Sequence, residues 1–413
     1  MFDTQEKAVR VVLCAVDTGE YDCGRSLDEL AELTDTAGAE VVARIVQNRP
    51  AFDTATCMGA GKLEEVALLC EQLSADQVIF DCELTATQIR NIEEVVKLHT
   101  IDRTMLILDI FAQRAKTREG RLQVELAQYR YRLPRLAGMG VALSRLGAGI
   151  GTRGPGESKL ETDRRHIRAR IDALSDELKE IEKRRAFSRV RRKKDNVLVC
   201  AIVGYTNAGK STLLNKLTGA SAFAEDKLFA TLETTARAAE LPDGRSVTFV
   251  DTVGFISRLP HHLVEAFKST LEEAVQADVL IHLADASAPD FAEKSTVTRR
   301  LLSELGCDGI PVVTALNKCD LIPAEQPDEP VAGTVRISAK TGAGLDELLA
   351  EITKALPDAP VRAKLLLPFD KAALAAKIRT DGKIFSEEYT PDGLLLDALI
   401  DRKRFHEIER FRF

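Results

Sequence analysis

Residues 204–211 read G-Y-T-N-A-G-K-S between two patterned runs. Ahead lies VLVCAIV (197–203), an apolar, β-branched stretch that reads as a strand; behind, from Lys210, KSTLLNKL reads as a helix. A strand that runs straight into a glycine loop and out into a helix leaves few architectures open. The glycines let the backbone wrap phosphate oxygens with its N–H groups, and the helix start adds a partial positive charge. The spacing predicts an α/β domain of the P-loop NTPase class, with Gly204, Tyr205, Thr206, Asn207, Ala208 and Gly209 forming the cradle. Lys210 is then placed to reach the β- and γ-phosphates, and the Ser211 hydroxyl to sit on Mg²⁺. The loop alone does not choose the base.

Three later segments do. Asp251-Thr252-Val253-Gly254 follows the apolar run VTFV, where an Asp at a strand end holds Mg²⁺ and a Gly brings its N–H to the γ-phosphate. Asn317-Lys318-Cys319-Asp320 ends VVTAL. The Asp320 carboxylate can accept hydrogen bonds from the N1–H and 2-amino group of guanine, and adenine offers neither donor. Lys318 is expected to cover the base and brace the phosphate loop. Ser338-Ala339-Lys340 follows TVRI and is expected to back the guanine O6 with a main-chain N–H. Four such elements, each at a strand end, point to GTP as substrate. Between the loop and Asp251 lies KLFATLETTAR (227–237), where a Thr must complete the Mg²⁺ shell; Thr231, Thr234 and Thr235 all qualify. Phe255 stands where many GTPases carry the Gln that orients the attacking water. No side chain is assigned as catalytic. Hydrolysis is expected at the Gly254 backbone and the switch beside Phe255, slowly without a partner. Asn207 is a candidate for holding K⁺ near the phosphates, or simply a turn residue.

The net charge of −7 argues against nucleic acid as a partner, but its distribution does not. RRAFSRVRRKK (184–194) holds no acid, and arginines crowd 114–135 and 164–170. A basic zone on an acidic chain suggests one face made for phosphate backbones. No apolar run approaches the about 20 residues that span a bilayer. The eight cysteines form no C-x-x-C pair and read as reduced, mostly buried thiols. A cytoplasmic monomer is the expectation, with loose membrane association left open.

Four parts follow. Residues 1–111 alternate strands (8–16, 41–47, 77–81, 105–109) with helices (27–38, 61–73, 85–98, the last capped at Thr85), as a small parallel α/β domain does. Residues 112–195 carry a seam of Leu122, Leu126, Tyr129 and Leu133 against Leu160, Ile167, Ile171, Leu174, Leu178 and Ile181. That predicts an antiparallel helical hairpin whose glycine-dense tip, 136–159, is too irregular for helix. Residues 196–356 form the nucleotide domain. Residues 357–413 open on a proline-flanked linker and continue as a small α+β domain. In the first part, Met58-Gly-Ala-Gly-Lys62 imitates half a phosphate loop; Leu63 stands where Ser or Thr is needed, and a tight turn into a helix is favoured.

The combination of GAGIGTRGPGESKLETDRR (147–165), QVELAQYRYRLPRL (123–136) and LFATLETT (228–235) before DTVGF is far narrower than the nucleotide motifs. It resembles the HflX family of ribosome-associated GTPases over essentially the whole chain. The resemblance implies binding to the large (50S) ribosomal subunit and its RNA, and splitting of stalled or idle 70S ribosomes under stress. It also selects Thr231 as the Mg²⁺ threonine, within a nucleotide-lining segment of Phe229, Ala230, Thr231, Leu232 and Glu233. Glu233-Thr234 departs from the family's Asp-Pro, which leaves the switch backbone less rigid. Arg153, with Gly154, Pro155 and Gly156, makes the tip an RNA-contact candidate: little bulk and one planar phosphate binder. Assembly or RNA binding without splitting is the alternative.

Overall fold

Four short strands begin the chain: β1 (Arg10–Asp17), β2 (Glu40–Asn48), β3 (Gln77–Phe80) and β4 (His99–Asp102). They form one parallel sheet in the order β2-β1-β3-β4. The returns are helices α1 (Cys23–Thr36), α2 (Ala60–Gln72) and α3 (Ala86–Val96). Val12, Cys14, Leu63, Val66, Phe80 and Ile92 pack together as the core. The expected cap on α3 is present as a capping box: the Thr85 hydroxyl accepts from Gln88 N–H, and the Gln88 side chain accepts from Thr85 N–H. The computed structural model describes residues 8–144, 155–194, 197–219, 228–229, 234–243, 245–258, 260, 263, 273–322, 333–357, 361–381, 383–400 and 408–412.

The sequence expectation fails at 105–109. These residues are not a strand but the middle of α4 (Arg103–Arg114). The Asp102 carboxylate accepts from the Met105 N–H at 2.9 Å, a helix N-cap that turns the apolar run MLIL into a buried helical face. A short apolar run suits either state, and here the cap decides.

The seam forms between α5 (Arg118–Ser144) and α6 (Pro155–Lys194). Leu122, Leu126 and Leu174 make its buried centre, with Tyr129, Ile171, Leu178 and Ile181 against them. Arg118 pairs with Glu177 and Arg170 with Glu125, so partner numbers fall as those of α5 rise, and the helices are antiparallel. The glycine-rich stretch is more helical than expected: α5 continues to Ser144 and α6 begins at Pro155. Each glycine costs a helix about 1 kcal/mol relative to alanine, so this stretch is helical against its local propensity, whereas proline at a helix's first position has no N–H to lose. Pro155 and Gly156 thus belong to a helix start, while Arg153 and Gly154 lie outside the described residues.

The chain divides into two compact units. All the elements above except the end of α6 belong to the first, which also takes Ile256–Ser269. The second holds a six-stranded sheet in the order β10-β9-β8-β5-β7-β6. Its strands are β5 (Leu198–Gly204), β6 (Thr235–Glu240), β7 (Ser246–Asp251), β8 (Val279–Asp285), β9 (Val312–Asn317) and β10 (Thr334–Arg336). β6 runs antiparallel to β7; the other pairs are parallel. Around it pack α7 (Lys210–Thr218), α8 (Phe291–Glu304) and α9 (Leu345–Ala355). The register sets Gly204 beside Leu283, Ile202 beside Asp251 and Asp285 beside Asn317. The carboxyl ends of β5, β7, β8 and β9 therefore finish together, the place where parallel sheets present loops to ligands.

The last segment is α+β, with one difference. Val361–Leu367, inside the expected linker, is a strand, β11. It pairs antiparallel with β13 (Gly393–Ile400), which also pairs β12 (Lys383–Thr390). With α10 (Ala372–Asp381) they enclose Leu365, Leu367, Ile378, Leu396 and Ile408. The prolines that suggested a linker flank the strand without interrupting it. No described helix is long and apolar enough to cross a membrane.

Candidate nucleotide site

The loop after β5 is shaped by its own backbone and clamped from β9. Asn207 and Gly209 adopt left-handed φ angles of 59° and 91°. Asn is the residue that tolerates this best after glycine, which accounts for Asn207 as a turn former. At Gly209 a Cβ would lie 2.4 Å from Asn317 Nδ2, so a side chain there would break the clamp. Asn317 is buried and used at both ends: its Nδ2 donates to the Ala208 carbonyl at 2.8 Å, and its Oδ1 accepts from Ala339 N–H at 2.9 Å. One amide thus fixes the phosphate loop to the loop after β10. The sequence reading gave the bracing role to Lys318; the structure gives it to Asn317. Lys318 sits at φ 64° and pairs with Asp285 at 2.8 Å. The Ala339 N–H is taken up by this frame.

Lys210 is folded into the loop it follows. Its Nζ donates to the carbonyls of Tyr205 (2.8 Å) and Gly204 (3.2 Å) and is buried. Burial pushes its pKa down to about 8, against the opposing pull of Asp251. Ser211 Oγ donates to Asp251 Oδ2 at 2.6 Å. A hydroxyl and a carboxylate side by side at the start of α7 are hard oxygen donors, and the pair fits Mg²⁺. Thr252 Oγ1 donates to the Ile202 carbonyl at 2.8 Å, tying the end of β7 to β5.

The segment after β7 lies directly on the phosphate loop. Phe255 N–H donates to Gly204 O (3.1 Å), and Thr206 N–H donates to Phe255 O (2.7 Å). A Cβ at Gly254 would come within 2.8 Å of Thr206 Cγ2 and 3.0 Å of Lys210 Nζ, so only glycine allows this approach. The Phe255 ring is buried with Val199, Val203, Val250 and Leu280. It serves as core and has no polar atom to offer a water molecule. At the base-reading end, the Ser338 hydroxyl is the first cause holding the Asp320 carboxyl below its usual range, and Lys340 and Lys318 add to it. Ser338 is itself buried.

Ala230, Thr231, Leu232 and Glu233 lie outside the described residues. Phe229 is described, buried with its ring edge-on to Phe111 at 4.7 Å, within the first unit.

The sequence reading missed a charged cluster directly downstream of Phe255, within the first unit. Arg258 donates to Asp81 (2.8 Å) and Ser26 (3.0 Å) and lies 3.9 Å from the Tyr21 ring centre. Buried Arg103 donates to Asp81 (2.8 Å), to Glu29 and to the Ser257 carbonyl (3.3 Å), and the Ser257 hydroxyl donates to Glu29. Nothing local marks these residues: they come from α1, the end of β3, the start of α4 and a distant loop.

Three family models match in chain order: "GTP-binding GTPase N-terminal" over 24–112, "GTP-binding GTPase Middle Region" over 114–192 and "50S ribosome-binding GTPase" over 199–318. The site and these matches define a P-loop GTPase, an enzyme that hydrolyses GTP. The chain is 51% identical over 389 residues to the GTPase HflX of Caldanaerobacter subterraneus subsp. tengcongensis, covering 94% of this chain and 90% of that one. It is 48% identical to that of Lacrimispora saccharolytica (98% and 96% covered) and 39% to that of Escherichia coli K12 (95% and 93%). It belongs to the HflX family. A GTP-binding protein of Sulfolobus solfataricus solved with GDP aligns over 84% of this chain and 98% of its own, at 24% identity and a TM-score of 0.45.

Proposed function

We propose that the chain is a ribosome-associated switch that binds GTP·Mg²⁺ at 204–211, 251–254, 317–320 and 338–340. The reading rests chiefly on Asn317, which joins the phosphate loop to the base-reading loop through one buried amide. In it Lys210 leaves its carbonyl partners for the β- and γ-phosphates, Ser211 and Asp251 hold Mg²⁺, Thr231 completes its shell, and Asp320 reads guanine. The phosphates also restore the charge that burial disfavours on Lys210. Asn207 is the candidate K⁺ ligand; a hydrolysis rate equal in K⁺ and Na⁺ removes it from that role.

The family model's description as 50S ribosome-binding supports the large subunit as partner. With Phe255 in the core, the attacking water lacks a side chain to orient it at that position, and hydrolysis is expected to rise when the ribosome supplies or orders one. Binding of the GTP form splits 70S ribosomes, and hydrolysis releases the protein. Arg153 at the hairpin tip is the proposed RNA contact. The experiment is single-turnover hydrolysis with and without 50S subunits, alongside sedimentation of 70S ribosomes. Stimulation with subunit separation supports the reading. Stimulation without separation reduces it to an assembly or RNA-binding switch, and neither removes the ribosome from the function.

A further inference from the structure

Two of the eight cysteines touch. Cys57 Sγ and Cys82 Sγ lie 3.1 Å apart, in hydrogen-bond contact. They come from different elements 25 positions apart, and both positions are built with care. Cys57 sits at φ 64° in a small loop closed on itself by paired bonds between Asp53 and Cys57. The Asp53 carboxylate accepts from Ala55 and Thr56 N–H, and Gln88 and Asn91 of α3 donate to the Asp53 and Ala55 carbonyls. A non-glycine residue in the left-handed region is strained, and it persists because this clamping determines it. Cys82 follows Asp81 at the end of β3, where Asp81 receives Arg103 and Arg258.

We propose that Cys57 and Cys82 are a reversible disulfide site, closed by a small peroxide, that acts through Asp81 on the chain segment following Phe255. The contact is polarised. Either sulfur can donate across this contact, and the hydrogen bond lowers the pKa of Cys57 and raises that of Cys82. Burial raises Cys14 and Cys200 instead, and takes Cys23 and Cys70 up to about 11. Cys57 is therefore the attacking thiolate. It takes one peroxide oxygen to become a sulfenic acid, releasing the other oxygen as hydroxide. The Cys82 sulfur then displaces hydroxide from the sulfenic sulfur, forming the S–S bond. The two thiol protons leave with the hydroxides, so two thiols and one peroxide yield one disulfide and two waters. The pair meets solvent through Cys82, which is 8% exposed against 1% for Cys57. A disulfide needs the sulfurs near 2.05 Å. Because the Cys57 loop is clamped, closing the gap is expected to draw on the end of β3, and with it on the carboxylate holding Arg258. A thiol exchanger restores the pair, as suits a transient disulfide in a reducing compartment.

The test treats the full chain with stoichiometric hydrogen peroxide, maps crosslinked peptides by mass spectrometry, and measures affinity for a fluorescent non-hydrolysable GTP analogue. The expected result is a Cys57–Cys82 crosslink before any other cysteine reacts. With it comes an affinity change of about five-fold or more, the lower end of ordinary site coupling. Dithiothreitol reverses both, and the Cys57→Ser and Cys82→Ser variants show neither. A crosslink elsewhere, no crosslink, or a crosslink that leaves affinity unchanged overturns the proposal. Because affinity of the reduced protein is the reference, failure here is distinct from failure of GTP binding itself.

Discussion

One glycine turn in each unit leads into a helix with similar letters. Gly204–Ser211 runs into α7, and Met58–Lys62 opens α2. At the first, Lys210 is buried against loop carbonyls, Ser211 meets the Asp251 carboxylate, and Asn317 clamps the loop from another strand. At the second, Lys62 reaches out to Glu65, Leu63 is fully buried in the core, and the Gly59 N–H is satisfied by Gln47 at 2.8 Å. The difference is what the following residue does. A hydroxyl at the helix start can serve a metal, whereas a leucine there anchors the helix to its sheet. A phosphate loop is recognised by the polar groups that converge on it, and the turn at 58–62 has none of that set.

The comparison breaks most visibly at the base-reading end. Asp320→Ala is expected to reduce the preference for GDP over ADP by about 10⁴, the scale set by sites built to hydrogen-bond a ligand's donors. Competition binding measures it, and an unchanged preference moves base reading elsewhere.

The next effect is on stability. Lys210 titrates near 8 when folded and near its ordinary 10.5 when unfolded. Between those values the unfolded chain binds more protons, so stability rises with pH across that window. The gain is about 3 kcal/mol for nucleotide-free protein. Chemical denaturation from pH 7 to 11, compared with Lys210→Met, isolates it; equal slopes in both proteins contradict the burial of the amine.

Asn317→Ala strands a buried carbonyl and a buried N–H, and is expected to lower stability by about 2–3 kcal/mol and weaken GDP binding. A denaturant midpoint that does not fall would show that Asn317 is not the clamp. Lys62→Ala, its counterpart in the other turn, removes an exposed pair and should change stability by about 0.5 kcal/mol or less, with GDP binding intact.

The α/β class and the strand-end placement of 204–211, 251–254 and 317–320 were legible, because each motif ends an apolar run that must become a strand. The HflX family was legible from the hairpin sequence. Three elements were not. MLIL at 105–108 suits strand or helix, and only the Asp102 cap decides it. Val361–Leu367 looked like a linker because prolines flank it, yet it gains a full antiparallel partner in β13. Residues 136–144 and 155–159 are helical although their glycines count against a helix. In the site, Lys210 and Ser211 were legible from the loop alone. Asn317's two partners lie 109 and 22 positions away, and Arg258's partners further still. No spacing rule reaches contacts that only tertiary folding creates.

Calorimetric titration with GDP and Mg²⁺ tests the central claim most directly, run on the wild type, Lys210→Ala and Lys62→Ala. The account predicts one GDP per chain for the wild type and Lys62→Ala, and loss of binding in Lys210→Ala. Binding that survives in Lys210→Ala, or disappears in Lys62→Ala, would contradict it.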